Sequence, residues 1–219
     1  MRKYTHILLG AALLVFALAP VLIHRAPYES TMGLVQKIFY FHLPGALMML
    51  FIALFAGVMS GIFLFTKKPW ADHYALAAAE QVVLFGAMTL VTGPLWARKA
   101  WGVWWEWDAR LTSSLLLWMI FIAYLLLRRF GGPGSDKLGA GMALFALANV
   151  PFIYVSVNYW RTLHPKTTVV PNLVPPMAGP MWWAFAGFVL MSLVLFALRV
   201  QQEEQRARVE ALYLAANEG

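Results

Sequence analysis

The 219-residue chain contains no cysteine and few charged residues. The missing thiols exclude disulfide bonds, thiolate metal sites and any cofactor attached to this chain through a thioether bond. Charged residues make up 12% of the chain and hydrophobic residues 61%, whereas a soluble domain has about a quarter and about half. Because so little polar surface cannot cover an apolar core in water, the composition predicts an integral membrane protein.

Six apolar segments are long enough to cross a bilayer. Each supplies the ~20 residues that ~30 Å of hydrocarbon requires, and each must be helical because unpaired backbone groups are costly in lipid. The segments are Ile7–Ile23, Pro44–Thr66, His73–Leu95, Leu111–Leu127, Leu138–Asn158 and Pro180–Val200. The sequence therefore predicts an all-α integral membrane protein in which residues 1–219 form a single six-helix membrane domain.

The first segment also resembles a signal peptide, with Ala17-Leu18-Ala19 as a cleavage-like site. We expect it to be retained as a helix, since the run is long enough to span.

Lysine and arginine indicate the orientation in the membrane. With the N-terminus inside, ten of these cations fall on the inner side and seven on the outer side, and the inner connections are the shorter ones. Positive charge concentrated in short inner loops predicts that both termini are cytoplasmic. The outer-face loops would be 24–43, 96–110 and 159–179, and residues 201–219 would form a charged cytoplasmic tail. The net charge of +7 is thus explained by topology and lipid contact, and does not indicate a nucleic-acid partner.

Five of the ten tryptophans fall within twelve residues, between the third and fourth spans. At 100° per residue, Trp101, Trp104, Trp105 and Asp108 share one helical face, and Trp107 and Arg110 lie on other sides. The segment is therefore expected to be an amphipathic, interfacial helix. An ordinary membrane anchor is one interpretation. The other is a flat apolar shelf for a planar ligand charged at one edge, and haem has that shape.

Two histidines are candidate ligands for the iron of such a haem. His42 precedes the second span and His164 follows the fifth, so both are expected in outer loops. Imidazoles from two separate loops can bind iron from opposite faces of a porphyrin. His24 lies on the same side and competes for this role. His6 and His73 are interpreted as interfacial or solvated residues.

Cations in the outer loops suit the two propionates of a haem, because arginine pairs with carboxylates in a bidentate fashion. The candidates are Arg98, Lys99, Arg110, Arg161 and Lys166. Contact with lipid headgroups is the alternative for them.

Within the spans, Glu80 is the one well-embedded carboxylate. It is a functional candidate by position, although pairing with a neighbouring helix is the simpler interpretation.

The segment Trp101-Gly102-Val103-Trp104-Trp105-Glu106-Trp107-Asp108-Ala109-Arg110-Leu111-Thr112 fills every specified position of the pattern W-G-x-W-W-x-W-D-x-R-L-T. That pattern is the WWD motif of membrane haem-handling proteins in cytochrome c maturation (system I). The segments around Val91-Thr92-Gly93, His42 and His164 match as well. With six spans and about 220 residues, the chain resembles the haem exporter protein C (CcmC) family.

The resemblance implies that haem b is bound non-covalently and transiently at the outer face of a bacterial inner membrane. His42 and His164 would be the axial ligands of the iron. Trp101, Trp104, Trp105, Trp107, Asp108 and Arg110 would form or flank the haem shelf. The implied partners are a periplasmic, membrane-anchored haem chaperone, ABC transporter subunits and a small one-span protein. The role is to position haem, so a classical enzyme is not expected.

Other functions remain open from the sequence. A transporter that moves haem across the bilayer would need a polar path through the spans. An electron-transfer subunit would need histidines near mid-bilayer. A haem-lyase subunit of the WWD type is a third possibility.

Overall fold

The computed structural model describes residues 2–217, and within them it is entirely helical apart from connecting segments and one isolated bridge. The six long helices are α1 (Arg2–Arg25), α2 (Phe39–Thr66), α3 (Pro69–Trp101), α4 (Ala109–Phe130), α5 (Ser135–Tyr159) and α6 (Pro175–Asn217). Short 3-10 helices cover Leu34–Ile38 and Thr167–Val169. Each long helix is long and apolar enough to cross a membrane, which confirms the predicted six-span, all-α architecture.

Helix α2 is central to the bundle and packs against α3, α5 and α6. Helix α1 packs against α6, and α4 packs between α3 and α5. Small residues line the closest contacts, since Ala53 and Ala56 of α2 are completely buried. Close approach of the backbones is the usual basis of helix packing in lipid, where apolar burial itself gives little driving force.

The two ends of the bundle are built differently. The end that carries residues 26–38, 102–108 and 160–174 is called the cavity end here, and the opposite end, with both ends of the described chain, is the terminus end. At the terminus end, Arg128 of α4 pairs with Asp72 of α3, with Nη2 lying 2.7 Å from Oδ2. Arg199 of α6 bonds Glu80 through Nε, at 2.8 and 2.7 Å, and also pairs with Glu203. Glu80 therefore has the simpler role considered above, pairing with a neighbouring helix.

The predicted amphipathic helix over the tryptophan-rich segment is wrong. Helix α3 ends at Trp101, because Gly102 adopts a left-handed conformation (φ +78°) that ends a helix readily. Residues 103–107 are not helical, and Asp108 then caps the N-terminus of α4. Trp101, Trp104, Trp105 and Asp108 consequently do not share a helical face.

The helices also extend further than the predicted spans. Because α2 begins at Phe39, His42 lies in its first turn and not in a loop. The charged tail continues α6 as a helix to Asn217.

Candidate functional site

An apolar cavity lies at the cavity end, between α2, α3, α4 and α5 and the segments that follow α3 and α5. The space between these side chains, counted out to and including its open mouth, is about 860 Å³. Six of the residues predicted from sequence line it: His42, Trp101, Trp104, Trp105, Arg110 and His164. The fold thus brings together side chains from segments far apart in sequence.

His42 is buried in the first turn of α2, with its ring held by α3. Its Nδ1 lies 2.9 Å from the Thr92 hydroxyl oxygen. That hydroxyl donates its own hydrogen to the carbonyl oxygen of Met88, at 2.8 Å, so it accepts a hydrogen bond from Nδ1–H of His42. This network assigns the tautomer in which the lone pair of His42 is on Nε2.

Gly93 makes room for this imidazole. A Cβ atom at position 93 would lie 3.1 Å from Cε1 of His42. The ring also meets Trp96 edge-to-face, with 5.7 Å between centroids. Contacts on several sides therefore fix the direction in which Nε2 points.

His164 is half-buried in the segment after α5. Its Nδ1 lies 2.9 Å from the carbonyl oxygen of Pro165. A carbonyl oxygen can only accept, so Nδ1 carries the hydrogen and Nε2 carries the lone pair. Burial and the nearby Arg110 charge lower the pKa of His164 from 6.5 to about 4, which keeps the ring neutral near pH 7.

Asp108 connects the start of α4 to the His164 segment. One carboxylate oxygen accepts a hydrogen bond from the Leu111 backbone N–H at 2.7 Å, which caps α4. The other accepts a hydrogen bond from the hydroxyl of Thr162. Thr162 in turn accepts one from the backbone N–H of His164, at 2.9 Å. Asp108 therefore positions His164 and does not itself line the cavity.

The tryptophans of the motif occupy different environments. Trp101 stacks on Trp96, with 6.4 Å between centroids and an interplanar angle of 22°. Trp104 is 57% exposed at the cavity mouth, with the Arg98 guanidinium 6.0 Å from its ring centroid. Trp105 is half-buried in the cavity wall, and its buried Nε1–H has no hydrogen-bond partner within residues 2–217. Trp107 is 78% exposed and lies outside the cavity lining.

Arg110 is the predicted cation that reaches the cavity. Its Nη1 donates to the carbonyl oxygen of Ile153 in α5, at 2.7 Å, and its side chain lines the cavity beside the two histidines. An arginine has five N–H donors, so this anchoring leaves donors for an anionic group in the cavity.

The structure reduces the number of candidate iron ligands and candidate cations from the sequence. His24 is exposed and is not part of the cavity lining. Arg98 donates to the carbonyl oxygen of Gly102. Lys37, which was not a candidate, donates to the carbonyl oxygens of Ile23 and Ala26 at the end of α1.

Several residues that support the site were missed from the sequence. Thr92, Gly93 and Thr162 belong to segments that match the motif family, but no role followed from their identity alone. Trp96 was grouped with the other indoles, although it is 9% exposed and packs on His42. The break in the helix over the tryptophan-rich segment did have a sequence signal, because Gly102 and Asp108 are typical end and start residues of helices.

Known proteins match this chain over nearly its whole length. The family model of heme exporter protein C (CcmC) matches residues 1–215. A putative cytochrome c biosynthesis ccmC-like mitochondrial protein of Marchantia polymorpha is 34% identical over 204 residues, covering 91% of this chain and 88% of the relative. Heme exporter protein C of Escherichia coli (strain K12) is 32% identical over 201 residues, covering 86% and 80%. That of Bradyrhizobium diazoefficiens is 34% identical over 198 residues, covering 86% and 74%.

A family match over almost every residue and relatives above 30% identity along most of their own length lead to one conclusion: this chain belongs to the heme exporter protein C (CcmC) family.

Proposed function

We propose that this protein binds haem at the outer face of a bacterial inner membrane and delivers it to a membrane-anchored haem chaperone during the maturation of c-type cytochromes. The observation that supports the proposal is that two imidazoles in one cavity have the same tautomer. His42 and His164 each use Nδ1–H in a hydrogen bond to a protein oxygen, which leaves the lone pair of Nε2 for a metal. Such an outer partner on Nδ1 is the usual arrangement of histidines that ligate metals.

The lining of the cavity suits haem in its chemistry. Its walls are mostly apolar and aromatic, as a porphyrin requires. Arg110 and the unpartnered Nε1–H of Trp105 offer donors for the propionates at the porphyrin edge. Since the chain has no cysteine, it cannot attach haem through a thioether bond, which is consistent with the non-covalently bound haem b that the family implies.

Delivery to a partner is supported by the open side of the cavity. Trp101 and Trp104 are 37% and 57% exposed at the mouth, so the edge of a bound porphyrin faces outward near them. One proposed ligand is on a helix and the other is on the segment 160–174. Displacing that segment would free one face of the iron for an acceptor histidine.

The proposed setting follows from topology and family. Both termini and the tail 201–217 would be cytoplasmic, and the cavity end would face the periplasm. ABC transporter subunits and a small one-span protein would complete the assembly, with lipid around the bundle. The protein's contribution is positioning, because the bond chemistry belongs to haem and to the acceptor.

Movement of haem through the bilayer by this chain alone is the less favoured function. The cavity occupies one end of the bundle, and ion pairs join the helices at the other end. An electron-transfer role is less favoured too, because His164 lies outside the helices.

The test is the absorption spectrum of the purified protein loaded with haem. Wild-type protein should show a bis-imidazole spectrum, and His42→Ala and His164→Ala should each lose it. His24→Ala is the matched control and should keep it. If both single variants keep the wild-type spectrum, the assignment of ligands is wrong.

Two further measurements separate the remaining functions. Trp104→Ala combined with Trp105→Ala should lower haem loading while membrane insertion stays intact; wild-type haem content there would reduce the tryptophans to an anchor. Loaded protein mixed with the purified chaperone should lose its haem to it. Haem that never leaves would contradict the proposed delivery and favour electron transfer.

A further inference from the structure

A second apolar recess lies on the outside of the bundle, beside the cavity. This recess, called the side groove here, runs along the α3–α4 seam and is lined by Ala87, Leu90, Val91, Trp105, Trp107, Leu115 and Trp118. It opens toward the surface that faces lipid, where Val91 is 61% exposed. The groove therefore offers an apolar surface at the level of the membrane and not in the aqueous mouth.

The side groove and the cavity share a thin wall. Leu90 and Trp105 line both spaces. Nothing else in the lining of either space is common to the two, so these two side chains form the boundary that the groove and the cavity share.

The seam is tightly packed on the terminus side of the groove. There, a Cβ atom on Gly86 would lie 2.5 Å from Trp118 Cδ1, and Trp118 Nε1 donates to the carbonyl oxygen of Val83 at 2.9 Å. One helical turn further along α3, about 6 Å, Leu90 lines the groove, as does Leu115 of α4. The groove thus lies in the half of the bundle that contains the cavity.

Trp105 is suited to be the movable part of this wall. It belongs to the non-helical residues 103–107, and its Nε1–H makes no hydrogen bond among the described residues. Rotating this indole breaks no polar contact. The same N–H is a donor that a carboxylate passing through the wall would satisfy.

We propose that the side groove is a lateral path by which haem passes from the outer leaflet of the membrane into the cavity, with Trp105 and Leu90 as the gate. This inference rests on the proposed function and adds a route to it. A porphyrin is flat and apolar, and its propionates are at one edge. It could enter edge-on along the groove between α3 and α4, and it is soluble in the phase that the groove faces.

The test compares two neighbouring substitutions on α4. Leu115→Trp fills the groove from a position that does not itself line the cavity, and Leu116→Trp places the same bulk on the adjacent lipid-facing position, which is 45% exposed. Protein in nanodiscs is mixed with vesicles that contain haem, and the appearance of the bis-imidazole spectrum is followed in time. We expect Leu115→Trp to load at least about tenfold more slowly, with the same final haem content, and Leu116→Trp to load like wild type.

A second comparison uses the absence of cysteine. Val91→Cys in the groove and Met119→Cys on the lipid face, 55% exposed, each introduce a unique thiol. A bulky maleimide is attached after purification, so the unlabelled protein is its own folded reference. Labelling Val91→Cys should slow loading and labelling Met119→Cys should not. This pair decides the question if Leu115→Trp fails to fold.

The outcomes are distinct. Equal loading rates for Leu115→Trp and Leu116→Trp, or for the two labelled thiols, overturn the path. A lower final haem content in folded, groove-filled protein also overturns it, because the groove would then be part of the binding site. If wild-type protein never acquires the bis-imidazole spectrum, the proposed function itself fails. If wild type does and the groove variants load normally, only the path is wrong.

Discussion

The two ends of the bundle handle charge in opposite ways. At the terminus end, cations pair with carboxylates: Arg128 with Asp72, and Arg199 with Glu80 and Glu203. In the part of the chain that the structure describes, no such pair occurs at the cavity end. There, Arg110, Lys37 and Arg98 donate to backbone carbonyl oxygens, and Asp108 and Glu29 accept from neutral donors.

The paired charges at the terminus end hold helices together, whereas the unpaired cations at the cavity end are available to bind a ligand. Opposite charges that satisfy each other fix α3 against α4 and α6, but they leave little field for a third group. A cation held by neutral dipoles keeps its full charge, so it still attracts a carboxylate of the cargo. The comparison therefore predicts that changes at the terminus end alter stability, and that changes at the cavity end alter haem binding.

The largest expected effect is at the terminus end. Arg128→Ala leaves the Asp72 carboxylate partly buried without its partner, since their side chains are 16% and 13% exposed. Removing one partner of a buried pair costs about 3 to 5 kcal/mol, and we expect the lower part of that range in the free energy of unfolding. Arg129→Ala, at the neighbouring exposed position, is the control. A loss of the haem spectrum in folded Arg128→Ala would break the comparison.

The next largest effect is expected from removing the Thr92 hydroxyl, which accepts the hydrogen bond from Nδ1–H of His42. Thr92→Val keeps the shape of the side chain but removes the oxygen that holds Nδ1–H. Loss of such an outer partner lowers metal affinity about 10- to 100-fold, which a haem titration would measure. Thr92→Ser should restore the affinity because it restores the hydroxyl. Unchanged affinity in Thr92→Val would mean that the ring is held by packing on Trp96 and Gly93 alone.

A substitution at Asp108 should affect both the stability of the fold and haem binding. Asp108→Ala removes the cap of α4, at a cost of about 1 kcal/mol, and breaks the tie to Thr162 that positions His164. Both the thermal midpoint and haem affinity should fall. Asp108→Asn retains a capping oxygen and should recover most of the stability. Wild-type haem affinity in Asp108→Ala would show that His164 is positioned without this connection.

The smallest effect is the response to mild acid. With the pKa of His164 lowered to about 4, its imidazole stays neutral down to pH 5. An imidazole with the ordinary pKa of about 6.5 would lose about 30-fold in available neutral form over that range. Haem binding through His164 should therefore change little between pH 7 and 5 and fall below about pH 4, as a spectroscopic pH titration would show. Loss of half the haem near pH 6.5 would contradict the burial of this ring.

The same shift has a defined sign for the stability of the haem-free protein. Because the folded pKa is lower than the unfolded one, the unfolded state binds the proton first as the pH falls. His164 therefore stabilises the fold fully above pH 6.5, and that contribution is lost between pH 6.5 and 4.

Much of the architecture followed from the sequence because its signals are local. Runs such as Pro44–Thr66 and Leu111–Leu127 predict spanning helices from apolar length alone. The pairing of Glu80 was among the expected alternatives. The helix predicted over the tryptophan-rich segment is wrong, because a period of 100° per residue does not continue across Gly102, a residue that ends helices.

The residues that line the cavity could be named as candidates from the sequence, but their arrangement could not. His42, His164, Trp101, Trp104, Trp105 and Arg110 were candidates by residue type, position and resemblance, and they line one cavity. Thr92 and Thr162 were not, because a threonine in a sequence gives no sign of which ring or carboxylate its hydroxyl meets. Trp107 was taken as part of the shelf, but it points away from the cavity once the segment is extended.

The sequence by itself determined that this chain is a membrane protein of six helices, because its apolar segments are long enough to span a bilayer and unpaired backbone groups in lipid are costly. It also determined which residue types gather at one end. Only the tertiary structure decided which nitrogen of His42 is free, how Asp108 connects to the His164 segment, and where the groove lies between α3 and α4. The first two depend on contacts between residues 50 or more positions apart, His42 with Thr92 and Asp108 with Thr162, and a hydrogen bond exists only when both partners are in place.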